Sequence, residues 1–248
     1  MKTPAAYFLE VSPEASPSQL RSGYYQRADT AVIQITKTVE RALLFRARIG
    51  YNCCVHAGKK NIFLTGAPSS GKTTVIKKVV ERLGLPARGF YTEEERVAGK
   101  RVGFLMKTLD GRGGYLAHQD IDSDFRIRRY GVSIENIETL AIPSIRPVGR
   151  DVIILDEIGK MECFSELFRL ASVEALDASN IVVGTVTFGG EDFIRAIKAR
   201  EDIEIHEVTM DTRDSLPDLI LRKISDLWKQ QYGMVADDGE PAGRGNVR

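Results

Sequence analysis

Apolar and polar residues alternate between two rhythms along most of the chain from residue 61 onward. NIFLT, at 61–65, is a short and nearly continuous apolar run, which predicts a buried strand. KTTVIKKVVERLG then places Val75, Ile76, Val79, Val80 and Leu83 at helical spacing, with Gly84 as its stop. ARGFYTEE and RVGFLMKTL read as two strands separated by RVAGK, whose Gly99 supplies the turn. Between residues 110 and 129 the pattern loosens. DGRGGYLAHQ reads as a polar loop, with a strand near 125–132, and VSIENIETLAI predicts a short helix closed by Pro143. DVIILDE is continuously apolar up to its acids, the composition of a parallel strand covered on both faces. ECFSELFRLASVEAL is helical, NIVVGTV a buried strand, EDFIRAIKAR a helix and IEIHEV a last strand. DSLPDLILRKISDLWKQ closes the series as a helix with Pro217 near its start. Repeated strand–helix units of this length predict an α/β fold: three layers around a mainly parallel sheet, with an antiparallel hairpin insertion.

The ends differ from this middle. Residues 1–28, with VSPEASPSQLRSG, are rich in Ser and Pro and read as an irregular lead-in. Residues 29–58 read as a helical extension, with Asp29 or Thr30 as N-cap and Val32, Ile35, Val39, Leu43 and Phe45 partly on one face. That helix either packs on the main domain or docks a protein partner. Residues 59–232 form the main domain, and the polar, glycine-containing stretch 233–248 is expected to be disordered.

A chain of 248 residues accommodates one large domain with appendages. With 35 basic against 34 acidic residues there is no overall positive charge to drive nucleic-acid binding, so a nucleic-acid partner is not indicated. No stretch approaches the ~18–20 apolar residues of a membrane span, and Glu10 and Pro13 interrupt the apolar run at the N-terminus. Cys53 and Cys54 are adjacent and, with Cys163, match no metal spacing, which suits idle thiols in a reducing compartment. These features together lead to the expectation of a cytoplasmic protein without a membrane partner.

Between the first strand and first helix lies the stretch that carries chemistry. Gly66, Ala67, Pro68, Ser69, Ser70, Gly71, Lys72 and Thr73 fit GxxxxGK[ST] in full, followed by Thr74. Small residues let successive N–H groups curl round a phosphate, and a side chain at Gly71 would obstruct that approach. Lys72 is placed to contact the β- and γ-phosphates and Thr73 to set its hydroxyl on Mg²⁺. The helix behind adds its free N–H groups and positive dipole end. Asp156, at the end of a buried strand, occupies the position of a carboxylate that holds the magnesium. Glu157, one residue on, is placed to orient and activate an attacking water. The predicted ligand is a nucleoside triphosphate with Mg²⁺.

GFYTEEERVAGKRVGF (89–104), DEIGKME (156–162) and GTV (184–186), with RRYGV and EVTMDTRDSLPDLI, run in an order that resembles the THEP1-type nucleoside-triphosphatase family. The resemblance spans residues 61–226. It implies a RecA-like P-loop NTPase fold and Mg²⁺-dependent hydrolysis of NTP to NDP and phosphate, with low discrimination among bases such as those of ATP and GTP. Carried across, Gly66, Gly71, Lys72 and Thr73 match the phosphate loop, Asp156 the metal acid and Glu157 the catalytic acid. Arg96 and Arg101 match arginines of the GFYT segment and Lys160 the lysine of DEIGKME; any of these cations could stabilise charge on the transferred phosphoryl. Arg213 matches an arginine near the domain's end that could border the base. Three positions depart from the family. Ser69 stands where relatives commonly have Gly, Glu95 replaces an apolar residue beside Arg96, and Thr212 stands where Asn often precedes the arginine.

Two alternatives remain open. Arg112, Arg126, Arg128 and Arg129 could form the lid or acceptor site of a P-loop kinase acting on a small molecule or polynucleotide end, or could be a solvated edge. A nucleotide-dependent interaction module, with helix 29–48 as adaptor, is the non-enzymatic alternative.

Overall fold

The computed structural model describes residues 58–190 and 192–233. The expected lead-in, all but the last residue of the 29–58 extension, and the tail beyond Gly233 lie outside the described residues.

One nine-stranded sheet organises the described chain. Strands β1 (Asn61–Thr65), β2 (Ala87–Val97), β3 (Lys100–Thr108), β4 (Gly113–His118), β5 (Arg126–Ile127), β6 (Tyr130–Val132), β7 (Val152–Ile158), β8 (Val182–Val186) and β9 (Ile203–Glu207) lie in the order β5-β6-β4-β3-β2-β7-β8-β1-β9. The run from β2 to β9 is parallel, and everything beyond β2 is antiparallel. Strand β8 therefore separates β1 from β7, and all three end towards the same edge.

The apolar strands explain the layers. Successive side chains point to opposite faces, so Ile62, Leu64, Val152 and Ile154 enter one core while Phe63, Ile153 and Leu155 enter the other. The first face is covered by α1 (Lys72–Arg82), through Val75, Ile76 and Val79, and by a C-terminal helix, Leu216–Tyr232, through Ile220, Ile224 and Trp228. The second is covered by residues 134–145 and by helices Glu166–Asp177 and Asp192–Lys198, through residues such as Ile145, Phe168 and Ile194. In chain order these are α2 for 134–145, then α3, α4 and α5 for Leu216–Tyr232. Pro217 sits in the first turn of α5, where its missing N–H removes no helix bond.

Three readings of the sequence need correction. DGRGGYLAHQ is not a loop: Gly113–His118 is β4, paired to β3. Glycine lowers strand propensity, but a side chain on Gly114 would start 2.9 Å from the Asn136 amide, so its absence lets α2 lie close. Pro143 does not close the helix before it. Ile137–Ala141 is a π turn whose bond runs from Ile142 N–H to the Ile137 carbonyl, and Pro143 then starts a further turn, Ile142–Ile145, where its N–H is not required. The expected hairpin is also larger than RVAGK implied, with β2 and β3 joined only by Ala98 and Gly99.

Candidate active site

The phosphate loop is held in place from both ends. Val208 N–H donates to the Thr65 carbonyl at 2.8 Å, which locks the chain after β9 against the end of β1. Gly66 lies against that segment so closely that a side chain would start 2.7 Å from the Val208 carbonyl oxygen. At the other end Gly71 has φ 102°, a conformation that favours glycine, and immediately precedes α1. Here the backbone rather than crowding by protein requires glycine, because a side chain would meet only Arg213 Cδ, at 3.8 Å.

Ser69, the departure from the family pattern, has φ 63°. A left-handed conformation costs an L-residue about 1–2 kcal/mol, while glycine carries an unfolded-state entropy cost of about 0.5–1 kcal/mol. Ser69→Gly should therefore leave a net gain of up to ~1.5 kcal/mol, read as a small rise in the thermal midpoint. A fall in that midpoint would show that the serine side chain contributes more than its strain costs.

The chemistry gathers where β1, β8 and β7 end. Asp156 is 1 % exposed. One carboxylate oxygen accepts from Thr73 Oγ1 at 2.7 Å and the other from Thr185 Oγ1 at 2.5 Å. Burial raises its pKa, against the opposing pull of the two hydroxyls, the Thr92 backbone and the Lys72 charge. Lys72 Nζ donates to the carbonyls of Gly66 at 3.1 Å and Ala67 at 3.3 Å, so its ammonium lies over the loop. Ser70 Oγ is buried and has no hydrogen-bond partner among the described residues. Thr73 and Asp156 thus offer hard oxygen ligands side by side. Among the described residues no group of three or more His, Cys, Asp or Glu side chains could hold a metal. A few protein oxygens, completed by phosphate and water, suit Mg²⁺.

Glu157 and Glu162 form a second acidic centre. A side chain on Gly159 would start 2.6 Å from Glu157 Oε1 and 2.7 Å from Glu162 Oε2, so both carboxyls close on this glycine. Burial, then the Asp156 charge, lifts the Glu157 carboxyl to about 7, against the attraction of Lys72 and Lys198. Burial, then Glu157, pushes Glu162 well above the usual carboxylate range. Glu162 is raised in the folded state, so it contributes stability below the unfolded carboxylate range and loses it as pH rises. The metal-free protein should accordingly be less stable at pH 7.5 than at pH 5, and Glu162→Gln should flatten that slope. An unchanged slope in thermal melts would separate Glu162 from it.

Glu157 and Glu162 line one cleft of about 1080 Å³ together with Gly66, Pro68, Ser69, Gly71, Lys72, Thr73 and Thr74, while Asp156 and Thr185 are buried behind Thr73. Arg96, Arg101 and Lys160 also line it. Glu94 organises the two arginines: it accepts from Arg96 Nη2 at 2.5 Å and pairs closely with Arg101. Arg101 also lies 5.0 Å over the Phe104 ring and donates to Tyr130 Oη at 3.4 Å. Lys160 is exposed and makes no ion pair with Glu157 or Glu162. Arg213 sits beside Gly71, outside the lining of this cleft. Glu95 turns to Tyr115 Oη, at 3.3 Å, and to His118 rather than to the cleft. Thr212 Oγ1 donates to the Glu207 carbonyl at 2.9 Å, which closes the turn before α5. Sequence reasoning missed Thr185 and underrated Glu162. The signal for Thr185 was a hydroxyl inside an otherwise apolar parallel strand.

The sequence profile of the family described as NTPase matches residues 61–221, from β1 into α5. The chain belongs to this NTPase family. Among its relatives, nucleoside-triphosphatase THEP1 of Thermotoga sp. (strain RQ2) is 43% identical over 162 residues, which is 64% of this chain and 92% of the relative. The cancer-related nucleoside-triphosphatase of Homo sapiens is 37% identical over 180 residues, 65% of this chain and 95% of that protein. The crystal structure of THEP1 from Aquifex aeolicus superposes with a TM-score of 0.61 at 36% identity, covering 66% of this chain and 98% of that one. The THEP1-type, α/β P-loop fold expected from the sequence is thereby established, and the antiparallel extension belongs to a chain of this family.

Proposed function

We propose that this NTPase-family chain hydrolyses nucleoside triphosphates to nucleoside diphosphate and phosphate, in a Mg²⁺-dependent reaction with low base selectivity. The Thr73–Asp156–Thr185 constellation beside Lys72 carries the reading, because it ties the phosphate loop, which lines the cleft, to a buried carboxylate suited to holding a metal. The relatives' names, nucleoside-triphosphatase in each case, support the reaction.

In this mechanism Gly66–Thr73 cradles the phosphates, and Lys72 moves from the loop carbonyls to the β- and γ-oxygens. Thr73 and Asp156 would hold Mg²⁺, which would supply positive charge to offset that of the phosphates. Glu157 orients a water in line with the γ-phosphorus and takes its proton as the new O–P bond forms. The bond from γ-phosphorus to the bridging oxygen breaks, and the diphosphate leaves with that electron pair. Arg96 and Lys160 stand near enough to the cleft to neutralise charge on the departing phosphoryl. Arg213, on the other side of the loop, borders the nucleoside.

Phosphate release from ATP, GTP, CTP and UTP tests the reading. Rates within about tenfold of each other, lost on chelation of divalent metal, are the expected result. Phosphate release untouched by chelation would remove the metal from the account, and a single accepted base would remove the breadth.

A further inference from the structure

Three arginines share the hairpin formed by β5 and β6, and they are not equivalent. Arg126 donates to the carbonyls of Ile121 and Arg129, at 3.2 and 3.1 Å. Arg129 bonds the Arg101 carbonyl and Tyr130 Oη. Both are stitched into the fold. Arg128 makes no hydrogen bond or ion pair among the described residues, yet it is the one of the three that lines the cleft.

Its backbone is also costly. Ile127 pairs with Tyr130, so Arg128 and Arg129 are the two central residues of a tight hairpin turn. Only Arg128 of the two has positive φ, at 54°. Glycine is the usual first residue where a two-residue hairpin turn has positive φ at that position alone. A large cation held in a glycine conformation, with its side chain uncommitted and over a cleft, is strain that calls for a functional reason.

Strand order says where in the cleft this residue lies. Arg213 and the end of β9 flank the phosphate loop on one side. The antiparallel strands lie on the other, beyond β7 and β2. A triphosphate seated with its γ end towards Asp156 and Glu157 sends its nucleoside to the Arg213 side. The part of the cleft bounded by Phe104, Leu116, Ile127, Arg128 and Met161 then lies past the γ-phosphate. Hydrolysis needs one water there, about 30 Å³, whereas the whole cleft holds about 1080 Å³, beyond the upper end of the 300–1,000 Å³ typical of single small-molecule sites.

We infer that this distal part is a second ligand site, for a small molecule bearing a phosphate and a flat aromatic ring. Arg128 binds the anion, and the aliphatic and aromatic lining takes the ring. The inference rests on the triphosphate occupying the loop as proposed above.

Nucleoside 5′-monophosphates combine both features and serve as probes. AMP, GMP, CMP and UMP would be titrated by calorimetry into the full chain saturated with Mg²⁺ and a non-hydrolysable ATP analogue, and into the Arg128→Gly variant. At least one probe should bind the wild type with the analogue in place, and Arg128→Gly should weaken it by about tenfold or more. The variant should fold with an equal or higher thermal midpoint and hydrolyse ATP alone at the wild-type rate. No binding by any probe overturns the inference, as does binding that the analogue abolishes or that Arg128→Gly leaves unchanged. Slower ATP hydrolysis in the variant also overturns it, by assigning Arg128 to the triphosphate. Failure of the wild type to hydrolyse ATP is a separate result that strikes the proposed function instead.

Discussion

Replacing Lys72 with alanine should cost both nucleotide affinity and turnover. Its ammonium already lies over the loop, bonded to the Gly66 and Ala67 carbonyls, so it is positioned to reach phosphate oxygens by a short movement. Charge-assisted hydrogen bonds contribute about 1.5–3 kcal/mol each, so losing this contact should weaken ATP binding by roughly 10–100-fold. The same charge acts more strongly on the transition state, where negative charge moves onto oxygens in a site with little water. The expected fall in kcat/KM is on the order of 10³-fold or more. The fold should survive, because Lys72 is not a core residue and buried Asp156 keeps its hydrogen bonds from Thr73 and Thr185 without it. Steady-state kinetics and equilibrium binding check the pair of effects. Undiminished affinity with undiminished turnover would place the triphosphate elsewhere.

Glu157→Gln should separate what Lys72→Ala joins. The amide keeps the size of the carboxyl but cannot accept a proton, so loss of a general base predicts a fall in kcat of about 10²–10⁴-fold. Nucleotide binding should persist or tighten slightly, since the substitution removes a negative charge from beside the phosphates. Near its raised value of about 7 the Glu157 carboxyl lies within easy reach of the ionised form at neutral pH. Affinity lost together with turnover would mean that Glu157 acts by shaping the site rather than on the water.

Much of the fold and of the site is legible in the sequence because the relevant features are local. The phosphate loop is eight consecutive residues, and Asp156 terminates an apolar run that could only be an internal strand. The alternation of apolar strand and amphipathic helix gave the layers, since in β1 and β7 a continuous apolar run must feed two cores at once. What escaped was set by tertiary context. Thr185 bonds Asp156 only because β8 lies between β1 and β7, an order that no local pattern contains. The strand character of Gly113–His118 was hidden by glycines that serve close packing against α2. The three arginines of the β5–β6 hairpin look alike as letters; hydrogen bonds and one backbone angle distinguish Arg128. The departures at Glu95 and Thr212 also resolved through three-dimensional partners, as both side chains engage structure away from the cleft.

The fate of the γ-phosphate is the most direct test of the central claim. The full chain would be incubated with γ-labelled ATP and Mg²⁺, alone and with candidate acceptors, beside the Lys72→Ala and Glu157→Gln variants. Label should appear as inorganic phosphate with the wild type, stay on bound ATP with Glu157→Gln, and neither bind nor be released appreciably with Lys72→Ala. Label recovered in an organic product would make the protein a phosphotransferase, and release by Glu157→Gln at the wild-type rate would contradict the assigned site.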